Sequence, residues 1–181
     1  MELIKRGMAV KALVRPNTDA SRTQKLREAG VVITPVNPRS AGVYWKSQGK
    51  LLQASVAAKV QRFIPSDFSL DFTKTKPGSN RNSDLRREFH AQLRKSGIAW
   101  TSILNGGFVD LMAGDTPMIN HKSYKVPYIG KPIQLLDFTT MVDTAAYTAA
   151  VAANPNPAPN FLRIASDIVT VQDIANAQTK V

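Results

Sequence analysis

The sequence predicts an α/β fold in which parallel strands alternate with helices covering both faces of one sheet. Short apolar runs alternate along the chain with stretches whose apolar residues recur at helical spacing, the order that crossover units require. The apolar runs are nearly continuous rather than alternating, as in strands buried on both faces. One of them, at the start of Val60 to Asp71 (VQRFIPSDFSLD), stops abruptly at Pro65 and passes into a Ser/Asp-rich loop. A parallel strand delivers its carboxyl end to a ligand crevice in this way, and Ser66, Asp67 and Phe68 are expected to line that crevice.

The bulk numbers narrow the classes. With 181 residues, 43% of them hydrophobic, the chain can bury a real core. It has no cysteine and only His90 and His121, which disfavours a disulfide scaffold, a thiolate site or a zinc site, and no metal is expected. No run approaches the ~20 apolar residues of a membrane span, and MELIKRG lacks the apolar core of a secretory leader, so a soluble, cytoplasmic protein is expected. Lys and Arg number 24 against 13 Asp and Glu, a net charge of +11. That balance favours an anionic partner such as a phosphate-bearing cofactor. Nucleic acid is disfavoured, because the cations are dispersed and lack interleaved aromatics for base stacking.

The elements follow in order. Met1 to Arg6 reads as the end of an amphipathic helix closed by Gly7. Met8 to Val14 is a strand ending at Arg15, with Pro16 and Asn17 as the turn. Ala20 to Ala29 is a helix stopped by Gly30, and Val31 to Thr34 a second strand. Asn37 to Ser47 fits the rhythm poorly. Gly49 to Lys59 is the helix before the central strand, and Thr73 to Arg81 an exposed flap. Ser83 is expected to cap a helix that runs to Lys95, with Leu85, Phe89 and Leu93 buried and Gly97 closing it. Ala99 to Leu104 is a strand running into Asn105, Gly106, Gly107 and Phe108, where the glycine pair would let backbone approach a ligand. Ala113 to Leu136 is irregular. Thr140 and Asp143 form a capping box before the helix Met141 to Ala153. Phe161 to Ala165 is a late strand, and Val169 onward a helix. The division expected is 1–112 and 113–181.

Four segments in register, VKALVRPNTDASRTQKLREAGV, VQRFIPSDFSLDF, SGIAWTSILNGGF and QLLDFTTMVDTAAYTAAV, resemble the NmrA-like group of atypical short-chain dehydrogenases, which includes isoflavone-reductase-like enzymes. The resemblance implies a Rossmann-like parallel sheet binding NADP(H) in residues 1–112, with a substrate-covering segment and late sheet elements in 113–181. It implies a small organic substrate, with homo-oligomerisation left open. Arg15, at the end of its strand, would take the extra phosphate of NADP where an acidic residue would accept the ribose of NAD, unless it is an ordinary surface residue. Asn17, Thr18 and Arg22 would complete that anion site, with Ser21 and Lys25 nearby. The loops Ser66, Asp67, Phe68 and Asn105, Gly107, Phe108 would flank the nicotinamide, or serve only as turns.

The sequence also departs from that pattern. No glycine-rich G-x-x-G-x-x-G turn is present, and a helix and strand are missing around Asn37 to Ser47, so the first and fourth strands of an order 3-2-1-4-5-6 are expected to be absent. A shortened or fragmentary reductase-like chain is the simplest expectation, with β-strand pairing across the gap, dimerisation or exposure as outcomes. Where relatives carry a catalytic lysine, this chain has Arg86, with Arg87 beside it. Arginine cannot act as a base near neutrality, though it can hold an anion. His90 on the same helix could relay a proton or be a core histidine. A non-catalytic NADP-sensing protein or an inactive fragment is therefore the alternative to a reductase.

Overall fold

The computed structural model describes residues 2–14, 18–35, 44–113, 119–120, 123 and 125–178. α1 (Glu2–Lys5) ends at Gly7, whose φ of 71° is left-handed, and leads into β1 (Lys11–Val14). α2 (Ala20–Glu28) begins where the Asp19 carboxylate accepts the Arg22 N–H at 3.1 Å, and returns the chain to β2 (Val32–Pro35). β1 and β2 are parallel, with Lys11 opposite Val32 and Val14 opposite Pro35.

After α3 (Tyr44–Ala57) come β3 (Arg62–Phe63), α4 (Arg81–Lys95), β4 (Ala99–Trp100) and β5 (Ser102–Leu104). β4 and β5 are one strand path interrupted at Thr101, whose N–H still donates to the Phe63 carbonyl at 3.2 Å. β3 lies parallel to β4 on one side, and β8 (Phe161–Arg163) parallel to β5 on the other. β6 (Gly107–Phe108) pairs parallel with β7 (Leu135–Thr139), and β7 pairs antiparallel with β9 (Asp167–Thr170). α5 (Met141–Ala153) follows β7, and α6 (Val171–Gln178) follows β9. The sheets therefore join residues on both sides of position 112.

Side chains alternate across a strand, and the cores show which helices cover which face. Phe63, Trp100 and Phe161 pack with Leu52 of α3 and with Phe89 and Leu93 of α4. Their chain neighbours Ile64 and Leu162 pack instead with Ile103, Phe68 and Val151 of α5. Helices thus cover both faces of the parallel β3–β4/β5–β8 sheet, as the sequence predicts. A third core joins Phe138 of β7 to Ile119 and to Ile174 of α6.

Among the described residues the sheet lacks its middle, leaving a gap. Among the described residues β1 and β2 pair only with each other, and no strand bridges them to β3. α1 packs against α5 beside this gap.

Four local expectations are corrected. α3 starts at Tyr44, five residues before Gly49, in the interval that seemed irregular. The cap of α4 is Asn80, whose side chain accepts the Ser83 N–H at 3.0 Å; Ser83 itself is buried in the first turn. Leu85 is only half-buried, and His90 takes a core position beside Phe89 and Leu93. The C-terminal helix is preceded by β9, because Ile168, Val169 and Thr170 prefer a strand that β7 is placed to receive. α6 then begins with a reciprocal box: Thr170 N–H donates to Asp173 Oδ2 at 2.8 Å and Asp173 N–H to Thr170 Oγ1 at 3.1 Å.

Candidate functional site

The loop after β3 is fixed at three points. The Ser66 N–H donates to Gln48 Oε1 of α3 at 2.7 Å, and the Ser69 carbonyl accepts the Gly106 N–H at 3.2 Å. Between them the Asp67 side chain is fully buried and turned away from solvent. Its Oδ2 accepts two hydrogen bonds at 2.6 Å, from Nε2–H of His90 on α4 and from the Ser102 hydroxyl on β5. Arg86 Nε stands 3.8 Å from Oδ1 and supplies a compensating charge. A buried carboxylate persists when it is paired and hydrogen-bonded in this manner.

Asp67 therefore faces the core rather than a crevice, contrary to expectation. Phe68, next to it, lines a cavity. With Phe108 of β6 it lines an apolar cavity of about 430 Å³ completed by residues that include Glu2, Val10, Ala12, Leu26 and Thr144. A volume of that order suits a cofactor or small ligand.

The glycine pair has a different reason from the one expected. A Cβ on Gly106 would lie 2.1 Å from the Asp137 carbonyl oxygen, and one on Gly107 would lie 2.7 Å from the Phe138 ring. Both glycines are required by the close approach of β7. Asn105, fully buried, is tied into the same junction, its carbonyl accepting the Thr139 hydroxyl at 2.8 Å. Among the described residues neither its side-chain oxygen nor its nitrogen has a hydrogen-bond partner.

The predicted anion site is seen in part. Arg15 and Asn17 lie outside the described residues. Thr18 is half-buried and Arg22 exposed at the start of α2. Asp19, which sequence reasoning passed over, already occupies that helix end. The hydrogen bond from the Ser21 hydroxyl, and then that from the Arg22 N–H, hold its carboxyl below the ordinary value.

The two candidate catalytic residues meet at Asp67 rather than at the cavity. Arg86 also donates from Nη1 to the Asn82 carbonyl at 3.2 Å. His90 is 1% exposed, stacked on Phe161 and edge-on to Trp100, so contact with a bound substrate is closed to it. Arg87, expected on a solvated face, instead binds Asp84 and the Phe72 and Thr75 carbonyls, fastening the predicted flap to α4. Ser102 and Gln48 were missed. The clue to Ser102 is its hydroxyl inside an otherwise buried strand, where it must find a partner.

Among the described residues no group of His, Cys, Asp and Glu could hold a metal ion, and no helix is long and apolar enough to cross a membrane. The model of the NmrA-like family matches residues 17–181.

This chain belongs to the NmrA-like family.

The oxidoreductase swnN of Arthroderma benhamiae is 29% identical over 145 residues, a match covering 71% of this chain and 45% of that protein. The NmrA-like chain thus spans less than half the length of that relative. Among solved structures, the AtPrR2 structure with NADP+ and (+)-pinoresinol superposes with a TM-score of 0.76 at 17% identity, over 99% of this chain and 69% of the other. The NADPH-dependent quinone oxidoreductase QOR2 of Escherichia coli, complexed with NADPH, gives 0.72 at 20% identity, over 99% and 69%. At these identities the likeness establishes the Rossmann-like α/β fold, incomplete relative to those chains.

Proposed function

We propose that this NmrA-like chain is an NAD(P)H-dependent oxidoreductase, or the part of one that holds the nicotinamide cofactor, acting on a small aromatic or carbonyl-bearing substrate. One observation carries the reading: Phe68, beyond the carboxyl end of β3, and Phe108, in the short β6 that follows β5, line one apolar cavity. The aromatic pair fits the nicotinamide side of such a cofactor, offering a flat apolar surface. On the phosphate side, Arg22 and Thr18 join Arg15 and Asn17 in the reading. Because the Asp19 carboxylate already takes the Arg22 amide, side-chain cations rather than helix amides must favour the phosphate there. The cations that the sequence offers there, Arg15 and Arg22, favour NADP over NAD.

When bound, the cofactor supplies the hydride. The chain's part is to seat it and keep the reacting face dry. Among the described residues lining the cavity the one carboxyl is that of Glu2, held below its ordinary value by the hydrogen bond from Lys5, and Arg86 is committed to Asp67 and Asn82. That commitment favours a second reading, an NADP-binding sensor without turnover. Following NADPH oxidation with a panel of quinones, aldehydes and ketones separates the two. Cofactor consumption dependent on one substrate class supports the reductase; tight NADPH binding with no consumption supports the sensor; no binding of NADPH or NADH rejects both.

A further inference from the structure

We infer that Asp67, His90 and Ser102 form a buried clamp that fixes the Pro65–Ser69 loop and thereby sets Phe68 in the cavity, so that His90 is a positioning residue acting through Asp67. The inference deepens the cofactor reading and rests on it only for the meaning of Phe68.

Three elements separated in sequence converge on one carboxylate oxygen. Asp67 comes from the loop, His90 from α4 and Ser102 from β5, and their side chains are 0%, 1% and 0% exposed. Both 2.6 Å hydrogen bonds end on Oδ2, which two donors saturate. Ser102 Oγ lies 3.2 Å from His90 Nε2, a contact that follows from their sharing one acceptor. The imidazole cannot turn away, because Phe161 stacks on it at 5.5 Å between centroids, while Trp100 and Phe72 stand at 4.9 and 5.0 Å. Among the described residues its Nδ1 has no partner, and the ring's hydrogen bonds lie on the Nε2 side.

The tie reaches the middle of the loop. Gln48 and Gly106 hold its two ends, and the hydrogen bond from the Asp67 N–H to the Pro65 carbonyl, at 2.9 Å, runs within the loop itself. Phe68 is the next residue along. Its ring is only partly buried, packed against Ile103 and Val151 on one side and open to the cavity on the other. A clamp on Asp67 restricts where that ring can go without touching the ligand itself.

Hydrogen–deuterium exchange of the full chain tests this, comparing wild type with His90→Gln, His90→Leu and Ser102→Ala. Glutamine keeps an N–H close to the position of Nε2, while leucine fills space without donating. Exchange of the 66–69 amides should quicken by about tenfold or more in H90L and S102A, and stay within about threefold of wild type in H90Q, with the Ile103 and Leu104 amides unchanged in all. NADPH affinity by calorimetry should fall in H90L and return in H90Q. Slow exchange at 66–69 in H90L, or exchange in H90Q as fast as in H90L, overturns the clamp, since ring packing alone would then hold the loop. If wild type takes up no NADPH, the cofactor reading fails, and the exchange pattern still decides the clamp.

Discussion

Replacing Gly106 by alanine separates two explanations of the glycine pair, one built on the ligand and one on β7. Gly106 sits at φ 66°, where an L residue costs about 1–2 kcal/mol. A Cβ there would also lie 2.1 Å from the Asp137 oxygen, 2.6 Å from its carbonyl carbon and 2.8 Å from its Cβ. These are mostly backbone atoms of a paired strand, so β7 or the 105–107 turn must shift, adding about 1–3 kcal/mol of overpacking. The expected loss is therefore about 2–5 kcal/mol. Gly97 is the control: its φ is 72°, but nothing lies within 4 Å of an added Cβ. Gly97→Ala should lose only the conformational part, about 1–2 kcal/mol. Urea denaturation of both variants, followed by tryptophan fluorescence, measures the difference. Should G106A match G97A within about 0.5 kcal/mol while losing NADPH affinity, the steric account is refuted and the pair serves the ligand.

Three further outcomes follow from the same structure. Arg62 donates to the Val151, Asn154 and Asn156 carbonyls at the end of α5, so Arg62→Met should destabilise by about 2 kcal/mol in denaturant melts, with NADPH affinity unchanged because the contact lies beyond the amino end of β3. Leu93 is fully buried between α3, α4 and the sheet, and Leu93→Ala should lower stability by about 2–5 kcal/mol. Hydrogen bonds from Ser166 and then Thr140 hold the Asp143 carboxyl below its ordinary value, and those from Thr170 hold Asp173 below its own. A carboxyl lowered on folding contributes stability above its unfolded pKa that is lost as pH falls through the folded one. Stability should thus be level down to about pH 4 and decline below it, and Asp143→Asn with Asp173→Asn should make that decline shallower in a series of melts against pH.

Much of the architecture was legible because its determinants are local. Gly7, Gly30 and Gly97 end helices in left-handed conformations, Thr140 caps α5, and the apolar run before Pro65 is a parallel strand. Among the described residues the incompleteness of the sheet was legible as well, from the missing glycine-rich turn. What the sequence concealed depends on partners distant along the chain. β9 becomes a strand because β7 lies beside it, and Gly106 is needed because Asp137 approaches it. The candidate site divides in the same way. Phe68, after β3, and Phe108, in β6, both line the apolar cavity. Asp67, adjacent to Phe68, points the other way, since His90 and Ser102 together offer it two donors in the core. Arg86 and His90, on one helix, meet instead at a carboxylate thirty-five residues before Ser102, which no local pattern reveals.

Calorimetric titration of NADPH into the wild-type chain and into Phe68→Ala tests the central claim most directly. Saturable binding with one cofactor per chain, weakened about tenfold or more by removal of the Phe68 ring, is the predicted result. Binding that is absent, or equally strong without that ring, would contradict the placement of the cofactor between Phe68 and Phe108.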